Sequence, residues 1–454
     1  MSMSPVVPLL LAGALGLTAP PAPEPRGIAV GGDPTPAALV EEALANNPDL
    51  RAAAAAAGAA RQRPAQASSL ADPVLAVFYT NDGWAFSLGT SPDTNLAIVL
   101  SQDLPYPGKR RLRGEIASLE ADQVAQQLAR ARLDVTAEVR RAYFGLQQSR
   151  ALLDLTREQS EVWRQIEGVA RARYSVGQGN QQDVLRTQVE LTRVGQALAE
   201  QEAEATIRRE EINRLLGRPP ETPVATPTGL GEVGEPSPLV AELERLRGLS
   251  PELSAARIAI ERARRAVDLA RKDYRPDFSV VGGYMNRGGL DPMWQAGVSV
   301  NLPLNRTRRA SALAEADSTL AAARFRLEAV ELQLRLRTQE RLAQLQAARS
   351  IGTLYREGIV PQDQMSVEAA IASYQAGRVP FITVLEALTT LYGDRATHVR
   401  LLAGQSRIRA TLDEASLETT ADLRLPASAL GAGTVTSGMT AGPASSGAMS
   451  SMSR

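Results

Sequence analysis

The sequence contains no cysteine and a single histidine, His398. The first absence excludes a disulfide framework, a thiolate zinc site and a cysteine nucleophile. The second excludes a histidine-rich metal centre. Aromatic residues are only 4%, thin for a compact enzyme core. Neither sign of charge dominates: 50 basic and 50 acidic residues leave a net charge of zero. That argues against nucleic acid as a partner. A membrane-length apolar helix is also missing. Val6–Thr18 is apolar but too short to span a bilayer, and fits the h-region of an export signal. Residues 1–29 therefore read as an export signal or leader. There is no Gly-x-Ser-x-Gly, no P-loop Gly-Lys-Ser/Thr and no Gly-x-Gly-x-x-Gly after a strand. Carboxylates such as Glu210-Glu211 fall on a predicted helix and read as a solvated face, and His398 reads as structural. No catalytic residue, no cofactor and no metal ligand is predicted.

What the sequence does have is a long internal repeat. Asn47-Pro48-Asp49-Leu50 returns as Ser250-Pro251-Glu252-Leu253, and Asp72-Pro73 returns as Arg275-Pro276. Leu104-Pro105 returns as Leu302-Pro303, and Arg110-Arg111 as Arg308-Arg309. Tyr174-Ser-Val-Gly177, followed by Val184-Leu185, returns as Tyr374-Gln-Ala-Gly377, followed by Val384-Leu385. The common offset, about 200 residues, is too long for a solenoid unit and reads as a duplicated half-subunit. The first repeat covers 36–216: a helical stretch 36–71, strands 73–80 and 94–101, a long helix 108–174 and a helix 181–216. The second covers 238–417: a helical stretch 238–275, strands 277–285 and 294–301, a long helix 306–375 and a helix 381–417. A Pro/Gly-rich linker, 217–236, joins them at the equator. The Gly/Ser/Ala-rich tail 426–454 is expected to be disordered.

The long helices carry coiled-coil spacing. Leu313, Leu320, Leu327 and Leu334 fall on one heptad position, with Ala316, Ala323 and Val330 on another. Such helices are about 100 Å long at 1.5 Å per residue. The shorter helices are about 55 Å, so two of them end to end match one long helix. These lengths predict an elongated barrel of helices.

The short segments alternate. Trp294, Ala296, Val298 and Val300 face one way, and Gln295, Gly297, Ser299 and Asn301 the other. Leu96, Ile98 and Leu100 share a face in the same manner. One apolar face, one polar face and aromatics near the ends fit transmembrane β-strands. Four strands cannot close around a pore, and a bilayer strand needs a closed barrel. The chain is therefore expected to oligomerise. Gln295, Ser299 and Asn301 are candidate lumen residues.

The duplicated strand–strand–long-helix plan and the repeated Tyr-x-x-Gly…Val-Leu pattern resemble the TolC-type outer-membrane efflux proteins. The resemblance covers about residues 36–417. Gln102-Asp-Leu-Pro-Tyr-Pro-Gly-Lys-Arg-Arg-Leu-Arg-Gly114 is similar to the strand-to-helix junction of the heavy-metal branch, the partners of copper/silver and cobalt–zinc–cadmium exporters. The resemblance implies a mainly α fold with a small β part. Long antiparallel coiled-coil helices form an α-barrel, and four transmembrane β-strands per chain contribute to a trimeric 12-stranded β-barrel. It implies a homotrimer in outer membrane lipid, spanning into the periplasm. Its partners are a periplasmic adaptor (membrane fusion protein) and an inner-membrane pump of the RND type. Its role is the exit duct of a tripartite efflux system, in the metal branch heavy-metal export. Drug or small-molecule export, type I protein export and a soluble periplasmic coiled-coil scaffold are the alternatives.

The resemblance also places the Tyr-x-x-Gly turns at a periplasmic tip that gates the tunnel. The tip residues are Tyr174, Gly177 and Asp183 in the first repeat, and Tyr374, Gly377, Arg378 and Glu386 in the second. Gly177 and Gly377 are expected to end their helices. Tyr374, Arg378, Asp183 and Glu386 are expected to close the gate. Val379 and Thr383 depart from the family, standing where Arg and Asp can stand.

Overall fold

The computed structural model describes residues 35–415 and 417, apart from 83, 85, 88–92 and 226–228. The expected leader 1–29 and the tail 426–454 lie outside the described residues. In the first repeat come α1 (Pro36–Asn46), α2 (Pro48–Ala60), α3 (Arg63–Ser68), β1 (Val74–Thr80), β2 (Asn95–Leu104), α4 (Lys109–Ser175) and α5 (Gln181–Leu216). In the second come α6 (Leu239–Leu249), α7 (Pro251–Lys272), β3 (Asp277–Arg287), β4 (Leu290–Asn301), α8 (Arg306–Leu354), α9 (Val360–Gln375) and α10 (Phe381–Asp413).

The two repeated Pro motifs turn out to be helix starts. Asn47 accepts the N–H groups of Asp49 (2.9 Å) and Leu50 (3.1 Å) on its side-chain oxygen. Ser250 accepts the N–H of Leu253 at 3.3 Å. Each cap is followed by Pro at the head of the helix and an acid in its first turn, the arrangement that helix-end electrostatics favour. The stretches 36–71 and 238–275 are therefore not continuous helices. Each breaks at its cap.

The 67 residues of α4 span about 100 Å, and α5 returns along it. At the sheet end of this pair Leu39, Val40 and Leu50 pack on Val139, Leu146, Ile212 and Leu216. The linker joins this core: Val224 is buried in it, and its carbonyl accepts from Arg150 at 2.5 Å. Farther down, Glu232 pairs with Arg356, so the linker is strapped to both repeats. At the far end α4, α5, α9 and α10 share a core of Trp163, Ile166, Val194, Val367, Phe381, Val384 and Leu388.

The second long helix differs from the expected uninterrupted 306–375. A π-helical turn, Tyr355–Ile359, separates α8 from α9. Pro361 follows two residues after its end. Proline offers no N–H and its ring crowds the carbonyl four residues back. A wider turn relieves that clash without breaking the rod. The final helix, α10, ends at Asp413, short of the expected Leu417.

The strands form one antiparallel sheet in the order β1-β2-β3-β4. The central pairing, β2 with β3, stitches the repeats together. The second hairpin is longer than its alternation predicts. Arg287 pairs with Leu290, so only Gly288-Gly289 turns the chain. Gly288 has φ +66, the left-handed conformation that such a tight turn requires.

Asn47 both caps α2 and donates to the carbonyl of Leu215 at 3.0 Å, at 1% exposure. Asn47→Ala should cost about 2 kcal/mol. Asn47→Asp should keep the cap and lose only the donor, falling between the two. Thermal unfolding of the detergent-extracted protein by circular dichroism checks the order.

Candidate functional site

Two places collect the expected functional residues: the helix tip and the sheet. At the tip both helix hairpins turn by the same backbone device. Gly177 (φ +74) donates to the carbonyl of Tyr174 at 3.0 Å, and Gln178 donates to that of Arg173 at 2.9 Å. Gly377 (φ +71) donates to Tyr374 at 2.9 Å, and Arg378 to Ser373 at 2.9 Å. This is a Schellman ending, in which glycine takes the left-handed position and the last carbonyls are satisfied. The Tyr-x-x-Gly spacing is that motif read from sequence.

The two tyrosines then diverge. Tyr174 is half exposed, at 49%, whereas Tyr374 is 3% exposed. The Tyr374 hydroxyl donates to the Asp183 carboxylate at 3.0 Å. Its ring meets Phe381 edge-on, with centroids 5.6 Å apart. The Arg173 guanidinium lies 4.6 Å above the same ring. Arg173 also donates to the carbonyls of Tyr374 and, at 3.1 Å, Gln178. One tyrosine is thus held by its hydroxyl, its face, its edge and its carbonyl, and each hold but Phe381 comes from the other repeat. Burial, then Asp183, push the Tyr374 phenol up to about 12. At neutral pH it is a firm donor to a charged acceptor.

The structure brings Tyr374 and Asp183 together, as expected. It does not bring Arg378 or Glu386 to them: both are exposed. The cation over the ring is Arg173, which the sequence reading missed. Its signal was there. It is the basic residue of the last turn of α4, where a cation suits the helix dipole, and it directly precedes the repeated tyrosine.

Above the tip, Glu158 of α4 takes both guanidinium nitrogens of Arg395 of α10, at 2.6 and 3.0 Å. Nearby, Asp394 of α10 faces Asp363 of α9. Burial and the Asp363 carboxyl raise Asp394 to about 6.

In the sheet, register defines two faces. One carries Leu75, Val77, Leu96, Ile98, Leu100, Phe278, Val280, Tyr284, Trp294, Val298 and Val300. The other carries Thr80, Asn95, Ser101, Asp103, Ser279, Gln295, Ser299 and Asn301, among apolar residues that include Phe78, Met285 and Met293. Gln295, Ser299 and Asn301 therefore share the more polar face, where Ser299 and Ser279 share a hydrogen bond of 2.6 Å. Among the described residues no helix covers the apolar face. All of β4 is exposed, with Trp294 at 80%.

Comparison with known proteins agrees with this geometry. The family model described as "Outer membrane efflux protein" matches residues 39–218 and 243–416, one segment in each repeat. The fusaric acid resistance protein FusA of Burkholderia cepacia is 28% identical over 221 residues, 45% of this chain and 41% of that protein. The match thus spans less than half of that relative's length. The cobalt-zinc-cadmium resistance protein CzcC of Cupriavidus metallidurans is 24% identical over 313 residues, 67% of this chain and 73% of that protein. The outer membrane protein VceC of Vibrio cholerae shares the fold, with a TM-score of 0.70 at 20% identity, over 84% of this chain and 95% of that one.

The Asp394–Asp363 pair has a definite pH dependence. An acid whose folded pKa is raised contributes stability while protonated, below its unfolded value near 4, and loses it as pH rises through about 6. Asp394→Asn should therefore stabilise the protein at pH 7.5, by about 1 kcal/mol after solvent screening. The gain should vanish towards pH 4. Melting curves across that range test the sign.

Proposed function

The chain belongs to the outer membrane efflux protein family, and on that premise we propose that it is the exit duct of a tripartite efflux system. Members of this family are outer-membrane transport channels that extend into the periplasm, and they are not enzymes. The observation that carries the reading is a four-stranded sheet with an exposed apolar face, mounted on helices about 100 Å long. A bilayer covers the apolar face. The free edges of β1 and β4 pair with neighbouring copies, because lipid offers no hydrogen bonds to an open edge. Three copies close a barrel of about twelve strands, a homotrimer whose helices form the tunnel below. Exposed apolar residues on the helices, such as Phe325 and Leu332 of α8 and Ile207 of α5, suit contacts between copies. Gln295, Ser299 and Asn301 then line the barrel.

The tip is the gate. Tyr374, Asp183 and Arg173 latch the two helix hairpins of one chain together. Gly177 and Gly377 form the turns, and Tyr174, Arg378 and Glu386 are left exposed for neighbouring copies or a partner. A periplasmic adaptor docking there can offset the latch. An inner-membrane pump of the RND type supplies the cargo. For that cargo we favour heavy-metal ions. The CzcC likeness covers two thirds of the chain, and the Gln102–Gly114 junction is similar to that branch. The FusA likeness favours a small organic acid instead. Metal selection belongs to the pump, since the duct has one histidine and no cysteine.

A strain lacking the protein should lose resistance to cobalt, zinc and cadmium and keep its resistance to fusaric acid. The opposite pattern assigns the duct to organic export. In planar bilayers the variant Arg173→Ala/Tyr374→Phe should conduct better than the wild type. It loses a hydrogen bond to a charged acceptor and a cation–π contact, together about 2–4 kcal/mol per chain. Unchanged conductance removes these residues from the gate.

A further inference from the structure

A groove of about 810 Å³ lies where the sheet meets the helices. Its volume is in the range of small-molecule sites. One wall is Leu104, Phe278, Val280 and Val298, all on the apolar face of the sheet. The opposite side is basic: Arg110 and Arg111, in the first turn of α4. We propose that this groove binds a glycerophospholipid of the surrounding membrane, its phosphate on the two arginines and an acyl chain on the apolar wall. The proposal rests on the reading of the sheet as bilayer-spanning. Its place at the helix end of the strands puts the lipid in the leaflet nearer the helices.

Charge placement argues for an anionic occupant. A helix N-terminus is the positive end of its dipole and disfavours cations. The helices α2, α5, α6, α7 and α9 obey this, each with an acid in the first turn. The two long helices that begin at the sheet do the reverse. Lys109, Arg110 and Arg111 open α4, and Arg306, Arg308 and Arg309 open α8, with no acid in either first turn. Lys109 is accounted for: its buried ammonium meets Asp273 at 3.3 Å and Asp277 at 3.0 Å. In the second repeat Arg309 is bonded to the carbonyls of Asp273 (2.7 Å) and Asn305 (3.0 Å). In the first, Arg110 is steadied by one bond from Nε to the Ser68 carbonyl at 2.8 Å. Arg111 stays 71% exposed beside Glu115 at 3.2 Å. Lys272 lies behind the lining, donating to the Pro107 carbonyl at 3.2 Å. The groove therefore joins an apolar wall, continuous with the face the bilayer covers, to guanidinium groups suited to phosphate. That combination fits a phospholipid better than a free anion or a plain hydrocarbon.

The test uses the full-length protein in a neutral detergent and native mass spectrometry. The probes are phosphatidylglycerol, a monoglucosyl-diacylglycerol with the same acyl chains, and inorganic phosphate. The wild type should retain phosphatidylglycerol and release the glucosyl lipid. Arg110→Gln/Arg111→Gln should retain about tenfold less. Val298→Trp, which fills the groove without touching its charge, should do the same. Arg308→Gln should match the wild type. Both lipids held equally, or retention unchanged in both groove variants, overturns the proposal. Displacement of the lipid by millimolar inorganic phosphate would mark a free-anion site and also overturn it. Planar-bilayer conductance of the same preparations separates the two readings. A wild type that conducts but holds no phospholipid defeats this inference alone, and one that forms no channel defeats the membrane reading beneath it.

Discussion

A strand edge immersed in hydrocarbon has nowhere to place its amides and carbonyls. Most of this architecture follows from that constraint. Four strands per chain leave two open edges, so the sheet is complete only as part of a ring of copies. A ring of sheets needs a ring of supports, and each hairpin stands on long helices. The joint between them is covalent only at single strand-to-helix connections. Buried Lys109, clamped by Asp273 and Asp277, therefore matters out of proportion to its size. It ties the start of α4, in one repeat, to the entry of β3, in the other. Removing both carboxylates would leave its buried ammonium uncompensated.

A second ionic cluster does the same work where the repeats meet lower down. Arg130 of α4 reaches Asp134 of its own helix at 2.5 Å, Glu252 of α7 at 3.2 Å and Glu414, the C-cap of α10, at 2.9 Å. Arg141 adds a second hold on Glu414 at 2.6 Å. Apolar coiled-coil seams are nearly uniform along their length and fix axial position poorly. Point charges fix it well, because a shift by one turn separates every pair. The seams supply adhesion, and the ionic clusters and the tip latch set the register.

Much of this plan was legible in the sequence because its signals are local. A cap followed by Pro, glycine at a fixed distance after tyrosine, and alternation in Trp294–Asn301 each report a backbone state within a few residues. Arg173 was harder to see, because its meeting with Tyr374 joins positions in different repeats and leaves no spacing to count. Arg378 stands out by its place in the motif; within one chain its side chain is exposed while its backbone completes the turn. The second hairpin is longer than expected because the polar, Gly-containing stretch between Met285 and Met293 reads as a loop. Met285 and Met293 pair across the strands all the same.

The π-helical turn before Pro361 has a consequence for symmetry. One extra residue in a helix rotates all that follows by about 100°. Above the turn, α8 packs on α7 and, through Leu345 and Ala348 against Ile408, on α10; below it, α9 packs on α10. The turn rotates the face that α9 presents relative to α8, while α4, its counterpart, runs through without a π-helical turn. The two arms of a duplicated chain are wound to different phases. A ring built from this chain repeats once per whole chain rather than once per half, so its symmetry is set by the number of chains and not by the number of repeats.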